Sequence, residues 1–148
     1  FPTRRSSDLS PLLHGDQLFL TAFYDGCAAL QLDQNKLGAT EIWRRRGQNE
    51  RRTDGLHSII STPIALGEHV YGVDSYGEFR CLSLADGSRV WEDKTAVPRN
   101  RWATIHFVKN DEHVWMFSER GELLIGKLTP KGFEEITAAS SSNRRAGN

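Results

Sequence analysis

The sequence predicts an all-β chain of three consecutive four-stranded antiparallel blades, part of a β-propeller. The first observation behind this is one pattern written three times: Gly15-Asp16-Gln17-Leu18-Phe19, Gly67-Glu68-His69-Val70-Tyr71 and Asp111-Glu112-His113-Val114-Trp115. Each copy is a tight turn followed by an apolar and aromatic strand start, and each leads to a second turn glycine, Gly26, Gly77 or Gly121. The offsets from Leu18, Val70 and Val114 to those glycines are 8, 7 and 7 residues, and the copies lie 52 and 44 residues apart. A period of that length, filled with short strands, belongs to propeller-type arrays. The second observation is that no window sustains apolar residues at helical spacing with caps. A blade cannot bury both faces alone, so three copies imply a piece of a larger molecule.

The elements follow in order. Blade one, residues 10–46, has strands over 10–13, 17–23, 27–32 and 40–44, the last carrying Trp43. The apolar run 17–23 suits a strand covered on both faces. Blade two, residues 57–94, has strands over 58–66, 68–74, 78–84 and 89–92, with Asp86-Gly87 as a hairpin turn before Val90-Trp91. Blade three, residues 102–137, has strands over 102–108, 112–118, 122–128 and 133–137, with Pro130-Lys131-Gly132 as its last turn. Residues 1–9 do not match the repeat and resemble a translated sequencing-adapter read-through, a non-native N-terminal extension. Residues 138–148, with three consecutive serines and Arg144-Arg145, read as a disordered tail.

The 148 residues suffice for one domain with a core, and the formal net charge of zero argues against nucleic acid as the partner. No apolar run reaches membrane-spanning length. No basic-then-apolar leader is visible, which in a fragment says little about the parent. The two cysteines, Cys27 and Cys81, both fall just after the second turn glycine of their repeat. They read as buried thiols acting as small hydrophobes, the alternative being an interblade disulfide. No Cys or His cluster has zinc spacing. The interblade linkers are charged: 44–55 holds Arg44, Arg45, Arg46, Arg51 and Arg52, and 94–101 holds Pro98 and two more arginines. Such loops reach one face of the disc, the usual place for binding.

The segment Leu82-Ser83-Leu84-Ala85-Asp86-Gly87-Ser88-Arg89-Val90-Trp91 resembles the blade motif of quinoprotein-type propellers, the proteins with pyrroloquinoline-quinone-like (PQQ-like) repeats. That motif has a small residue, an acidic residue, a Thr-Gly turn and a tryptophan four residues after the glycine. Gly87 and Trp91 keep the spacing, while Asp86, Ser83 and Cys81 replace the threonine, the acidic and the small residue. Gly38 and Trp43 are five apart in blade one; Gly132 and Ile136 keep the spacing in blade three without the tryptophan. The string from Asp74 to Leu82, with Arg101-Trp102-Ala103-Thr104, is similar to a bacterial subgroup named for the repeat and not for a reaction. The resemblance covers 10–137. It implies the propeller fold, with each blade tryptophan stacked on the next blade's backbone, and an exported, periplasmic setting.

In that family the quinone lies on the propeller axis between a tryptophan floor and two adjacent cysteines, with calcium held by Glu, Asn and Asp. This chain has no adjacent cysteines and no such set that the sequence places near an axis. No cofactor or metal is therefore expected within it; PQQ and calcium are possible only in a full-length parent. His57, before strand one of blade two, and His106, within strand one of blade three, could face the channel and bind a metal or shuttle protons. The plainer reading, which we prefer, is a backbone hydrogen bond between blades. Asp74, Tyr76 and Arg80 flank the turn at Gly77; Asp74 reads as an Asx cap, and Tyr76 stays open as a recognition residue. His57, Tyr76, Arg80, Trp102 and His106 are thus the candidate channel or loop-face binding residues, and Gly87, Trp91 and Trp43 the structural blade motif. The arginine-rich linker could meet an oxyanion, though a solvated loop is the preferred reading. No nucleophile elbow, P-loop or paired-carboxylate motif stands out, and no catalytic residue is expected.

The expected function is binding or scaffolding, as a repeat module of an exported bacterial protein. Its partners would be the remaining blades or further copies of the chain, with a protein or small molecule as ligand. The resemblance also implies two alternatives: part of a quinone-dependent oxidoreductase with its cofactor residues in missing blades, and an envelope-assembly scaffold similar to the outer-membrane β-barrel assembly lipoprotein. Bare lateral faces on the first and last blades, including part of the Trp115, Phe117 and Leu123 set, predict that residues 10–137 expressed alone are marginally stable or aggregate. A sharp, reversible melt of a monomer in calorimetry with ultracentrifugation would contradict this.

Overall fold

The computed structural model describes residues 9–49 and 51–140, and among these are twelve strands and no helix. β1 (Leu12–His14), β2 (Gln17–Ala22), β3 (Gly26–Leu32) and β4 (Ala39–Arg45) form the first antiparallel sheet. β5 (Ile64–Leu66), β6 (His69–Val73), β7 (Phe79–Ser83) and β8 (Arg89–Asp93) form the second, and β9 (Ile105–Asn110), β10 (His113–Ser118), β11 (Glu122–Thr129) and β12 (Gly132–Ser140) the third. Each sheet is a meander in chain order, the architecture of three propeller blades.

The repeat is legible in the backbone. Gly15, Gly67 and Asp111 open the first hairpin of their blades with φ of 61°, 59° and 53°. Aspartate is among the few non-glycine residues that tolerate this left-handed region, so Asp111 can stand where the other blades use glycine.

Period-two alternation sorts the core. In blade two, Val70 and Leu82 face blade one, where they pack with Phe19, Cys27, Leu56 and Leu84. Their chain neighbours Tyr71 and Cys81 face blade three with Val73 and Phe79, against Ile105, Val114, Met116, Leu124 and Leu128. Blade two is therefore covered on both sides, and β6 and β7 are almost wholly buried. β10 instead alternates: Val114, Met116 and Ser118 are buried while Trp115 and Phe117 are exposed. Val108 and Ile136 add to the exposed apolar residues of this blade, and Leu13 and Ile42 are exposed on blade one.

Tryptophans join the blades. The Trp43 indole N–H of blade one donates to the Leu84 carbonyl of blade two at 2.7 Å, and that of Trp91 donates to the Thr129 carbonyl of blade three at 2.8 Å. The Trp43 ring lies against Gly87, where a Cβ would meet Trp43 ring carbons at 2.5–2.9 Å. Gly87 also has φ of 70°, so the turn needs glycine on two counts. Trp91 tilts against Tyr71 and meets Phe79 edge-on, the ring centroids 5.3 Å apart.

The structure departs from the sequence reading at several boundaries. The strand expected over 58–66 is confined to Ile64–Leu66. The Ser58 amide turns to the Thr21 hydroxyl and Pro63 has no N–H to give a ladder. The strand expected from residue 102 begins at Ile105, because Trp102 has φ of 72° and cannot lie in a strand. The residues 138–140, read as part of a disordered tail, extend β12 and pair with Leu124, Leu123 and Glu122. Residues 1–8, most of the expected extension, and 141–148 lie outside the described residues.

The register also moves the tryptophan position. A bulge recurs in the pairing of third and fourth strands, between Ala29 and Leu30, Cys81 and Leu82, and Ile125 and Gly126. It pairs Ala29 with Trp43, Cys81 with Trp91, and Ile125 with Thr137. Thr137, and not Ile136, is thus the counterpart of the two tryptophans; Ile136 is the extra bulged residue, as Ile42 and Val90 are.

Trp91→Ala removes both the ring packing and the indole hydrogen bond and should cost about 3 kcal/mol. Val90→Ala, at an exposed bulge, should change stability by less than about 0.5 kcal/mol. Urea titrations of the two variants check the difference.

Candidate functional site

In a meander, the turn between second and third strands and the linker to the next blade lie at the same end of the sheet. The hairpins after β2, β6 and β10 and the linkers 46–63 and 94–104 therefore gather on one face. Contacts bear this out: Trp102 N–H donates to the Ser75 carbonyl at 2.9 Å, and a Cβ on Gly77 would meet the Pro98 carbonyl.

Among its described residues, the linker 46–63 has no ladder to order it beyond one isolated bridge, Asn49 to Arg52. Side chains of blade two hold it instead. The buried Asp74 carboxylate accepts the Thr53 hydroxyl and the His57 amide, both at 2.5 Å, and pairs with Arg80 Nη1 at 3.0 Å. Arg80, only 4% exposed, also donates to Thr53 Oγ1 and the Gly55 carbonyl, each at 2.7 Å. Its Nε reaches Glu92 Oε2 at 2.8 Å. Asp74 is therefore a tertiary clamp on a segment about twenty residues away, where the sequence reading places a local Asx cap.

His57 is buried, and both ring nitrogens are engaged. Nε2 accepts the Gly47 amide at 3.2 Å, so Nδ1 carries the hydrogen donated to the Phe23 carbonyl at 2.7 Å. The Phe23 ring stacks on Trp102 with centroids 5.6 Å apart and an 18° interplanar angle. The Arg101 guanidinium lies 5.1 Å from the Trp102 ring and 6.0 Å from Phe23. Tyr24, 77% exposed, meets Phe23 edge-on at 4.5 Å, and Trp102 is 47% exposed. Phe23, Tyr24, Arg101 and Trp102 thus make an aromatic platform drawn from blade one and the linker into blade three.

Of the expected residues, Arg80, His57 and Trp102 join one continuous chain, running from Arg80 through Asp74, His57 and Phe23 to Trp102. Tyr76 is half-buried beside it; its ring faces the Arg51 guanidinium at 5.5 Å, and Arg51 Nε lies 3.5 Å from its hydroxyl. His106 is exposed on β9 and pairs in register with Phe117. The linker arginines Arg51, Arg99 and Arg101 also lie on this face, as the charged interblade linkers led one to expect. Phe23, Tyr24, Glu78 and Glu92 lie outside the sequence expectation: the first two, an aromatic pair at a hairpin tip, were a readable signal, and the two glutamates had none.

Beside the clamp opens a polar cleft of about 500 Å3 with Arg80 and Glu92 in its lining. Glu92 meets Arg80 at 2.8 Å, Lys94 at 2.9 Å and Arg89 at 3.1 Å. Burial works against its carboxylate, but hydrogen bonds from Lys94 and Arg80 and the charges of Arg80 and Arg89 outweigh it and hold its pKa below the ordinary 4.5. Burial pushes the thiols of Cys27 and Cys81 up to about 11; both are free and sit in separate interblade cores.

Fold and topology together define this chain as three blades of a β-propeller. No family model matches it, and no curated protein matches it. Solved structures do. BamB from Moraxella catarrhalis matches at TM-score 0.62 and 15% identity over 91% of this chain and 36% of its own. Quinohemoprotein alcohol dehydrogenase from Comamonas testosteroni matches at 0.59 and 18% identity, over 91% and 21%. A europium-containing methanol dehydrogenase matches at 0.54 and 13% identity, over 87% and 24%. The chain spans about a third or less of these proteins' lengths, and the likeness is one of fold.

Asp74→Ala leaves the buried Arg80 with Glu92 alone and takes the acceptor from the Thr53 hydroxyl and the His57 amide, and should cost about 3 kcal/mol. Asp86→Ala, at an exposed turn, should cost less than about 1 kcal/mol. Glu92, with its folded pKa depressed, contributes stability that is present above the ordinary 4.5 and lost as the pH falls through the folded value. Glu92→Gln should accordingly flatten the stability loss between pH 5 and 3 in denaturant titrations.

Proposed function

We propose that this chain is a binding module: a PQQ-like propeller unit of an exported bacterial protein that holds a partner protein by its loop face, in a scaffolding role. The observation that carries this is the platform of Phe23, Tyr24, Arg101 and Trp102. Aromatic and arginine side chains are the residue types that dominate protein contacts, and here Trp102 and Tyr24 are presented to solvent. Trp102 is held there in a left-handed backbone conformation, strain of a kind that concentrates at functional positions. The fold likeness to BamB supports a scaffold reading.

A second reading, part of a quinone-dependent oxidoreductase, draws on the fold likeness to the two dehydrogenases. The described residues do not fit its cofactor set. Cys27 and Cys81 lie in different cores, and no three His, Cys, Asp or Glu among the described residues could hold a metal ion. On this proposal PQQ and calcium have no site among the described residues.

The test places a photo-crosslinking amino acid at Tyr24 and, separately, at Leu37, a fully exposed residue of the hairpin at the opposite end of blade one. Cells carrying the exported chain should give a discrete protein adduct from position 24 and none from 37, and Trp102→Ala should reduce it at least fivefold. Equal labelling from both positions would remove the loop-face reading. Dye reduction by the chain with added PQQ, calcium and ethanol would favour the enzyme reading instead.

A further inference from the structure

The cleft beside the Asp74 clamp has a charge imbalance built into it. Its lining carries six cationic side chains against three carboxylates among the described residues. Glu92 meets three of the cations, Arg80, Arg89 and Lys94, and even with Asp74 sharing Arg80 from beneath, two carboxylates face three cations. Arg99 is matched by Glu78 at 3.0 Å. Arg52, exposed at the rim, makes no ion pair among the described residues. Beneath them Arg80 is fixed by the clamp, so the floor of the cleft is preorganised.

We propose that this cleft binds a small multivalent oxyanion, held by Arg52, Arg89 and Lys94 above the pair of buried Arg80 and half-buried Glu92. The chemistry is that of a phosphate- or polycarboxylate-bearing small molecule. Guanidinium forks take two oxygens of such a group at once, and hydrogen bonds between ionised partners are the strong ones. A cleft of about 500 Å3 falls in the size range of small-molecule sites. Arg89 and Lys94, 38% and 52% exposed in their side chains, can turn from Glu92 to a ligand without leaving a buried charge bare, because Arg80 stays on Glu92. The site is separate from the aromatic platform, and its failure would leave the proposed function standing.

The experiment is calorimetric titration of the full chain with sodium pyrophosphate and, in parallel, with citrate, at fixed ionic strength set by chloride. At least one should bind saturably, at one site, with a Kd below about 1 mM. Arg52→Gln and Lys94→Gln, both at exposed positions, should each weaken that binding about tenfold. Arg101→Gln, on the platform, should leave it unchanged. Tighter binding of pyrophosphate would mark the natural ligand as a phosphate compound, and tighter binding of citrate as a polycarboxylate. Absence of saturable binding by either anion would overturn the proposal, as would equal weakening in Arg52→Gln and Arg101→Gln, which would reduce the effect to diffuse surface charge.

Discussion

The Asp74 carboxylate is the constraint on which the loop face depends. A buried charge is tolerable only when it is paired and hydrogen-bonded, and Asp74 meets that demand with groups from two stretches of chain: Thr53 and His57 of the linker, and Arg80 of β7. Satisfying it brings the linker 46–63 onto blade two. That seats His57, whose ring then clasps the Phe23 carbonyl of blade one. Phe23 in turn offers its ring to Trp102 ahead of blade three. One desolvated carboxylate therefore propagates order across all three blades, through a face that has almost no β-ladder to supply it.

The division of labour between the two ends of the blades follows. Apolar packing and indole hydrogen bonds settle how the sheets stack. Charge settles the loop face. The chain has no formal net charge, yet its cations are concentrated where the linkers cross that face. An aromatic surface and a basic cleft stand on either side of the same buried carboxylate, so each is held by the element that holds the other.

The blade pattern was legible because it rests on local rules. The turn residues Gly15, Gly67 and Asp111 need left-handed φ, and the alternation around Val70, Tyr71, Cys81 and Leu82 divides one strand pair between two cores. The tryptophan register in blade three was misplaced by one residue because glycine-to-tryptophan spacing does not see the bulge that sets Ile136 aside and aligns Thr137. The clamp was not legible. Thr53, Asp74, Arg80 and Glu92 share no spacing rule, and only the stacking of sheets decides which of many acidic and basic residues lose their water. His57 and His106 look alike in sequence, yet one has both nitrogens occupied in the interior and the other lies on an open face.

The indole hydrogen bonds also give the stack a polarity. In both junctions the earlier blade supplies the donor and the later blade the carbonyl, with the Gly87 notch receiving the ring at the first. Such a contact is heterologous, head to tail, and never pairs like with like. Repetition of it can close a ring or wind an open spiral, but cannot produce a two-fold dimer through those surfaces. It is also vectorial: during synthesis each tryptophan emerges before the blade that will receive it, so every junction is completed from the N-terminal side, one blade at a time.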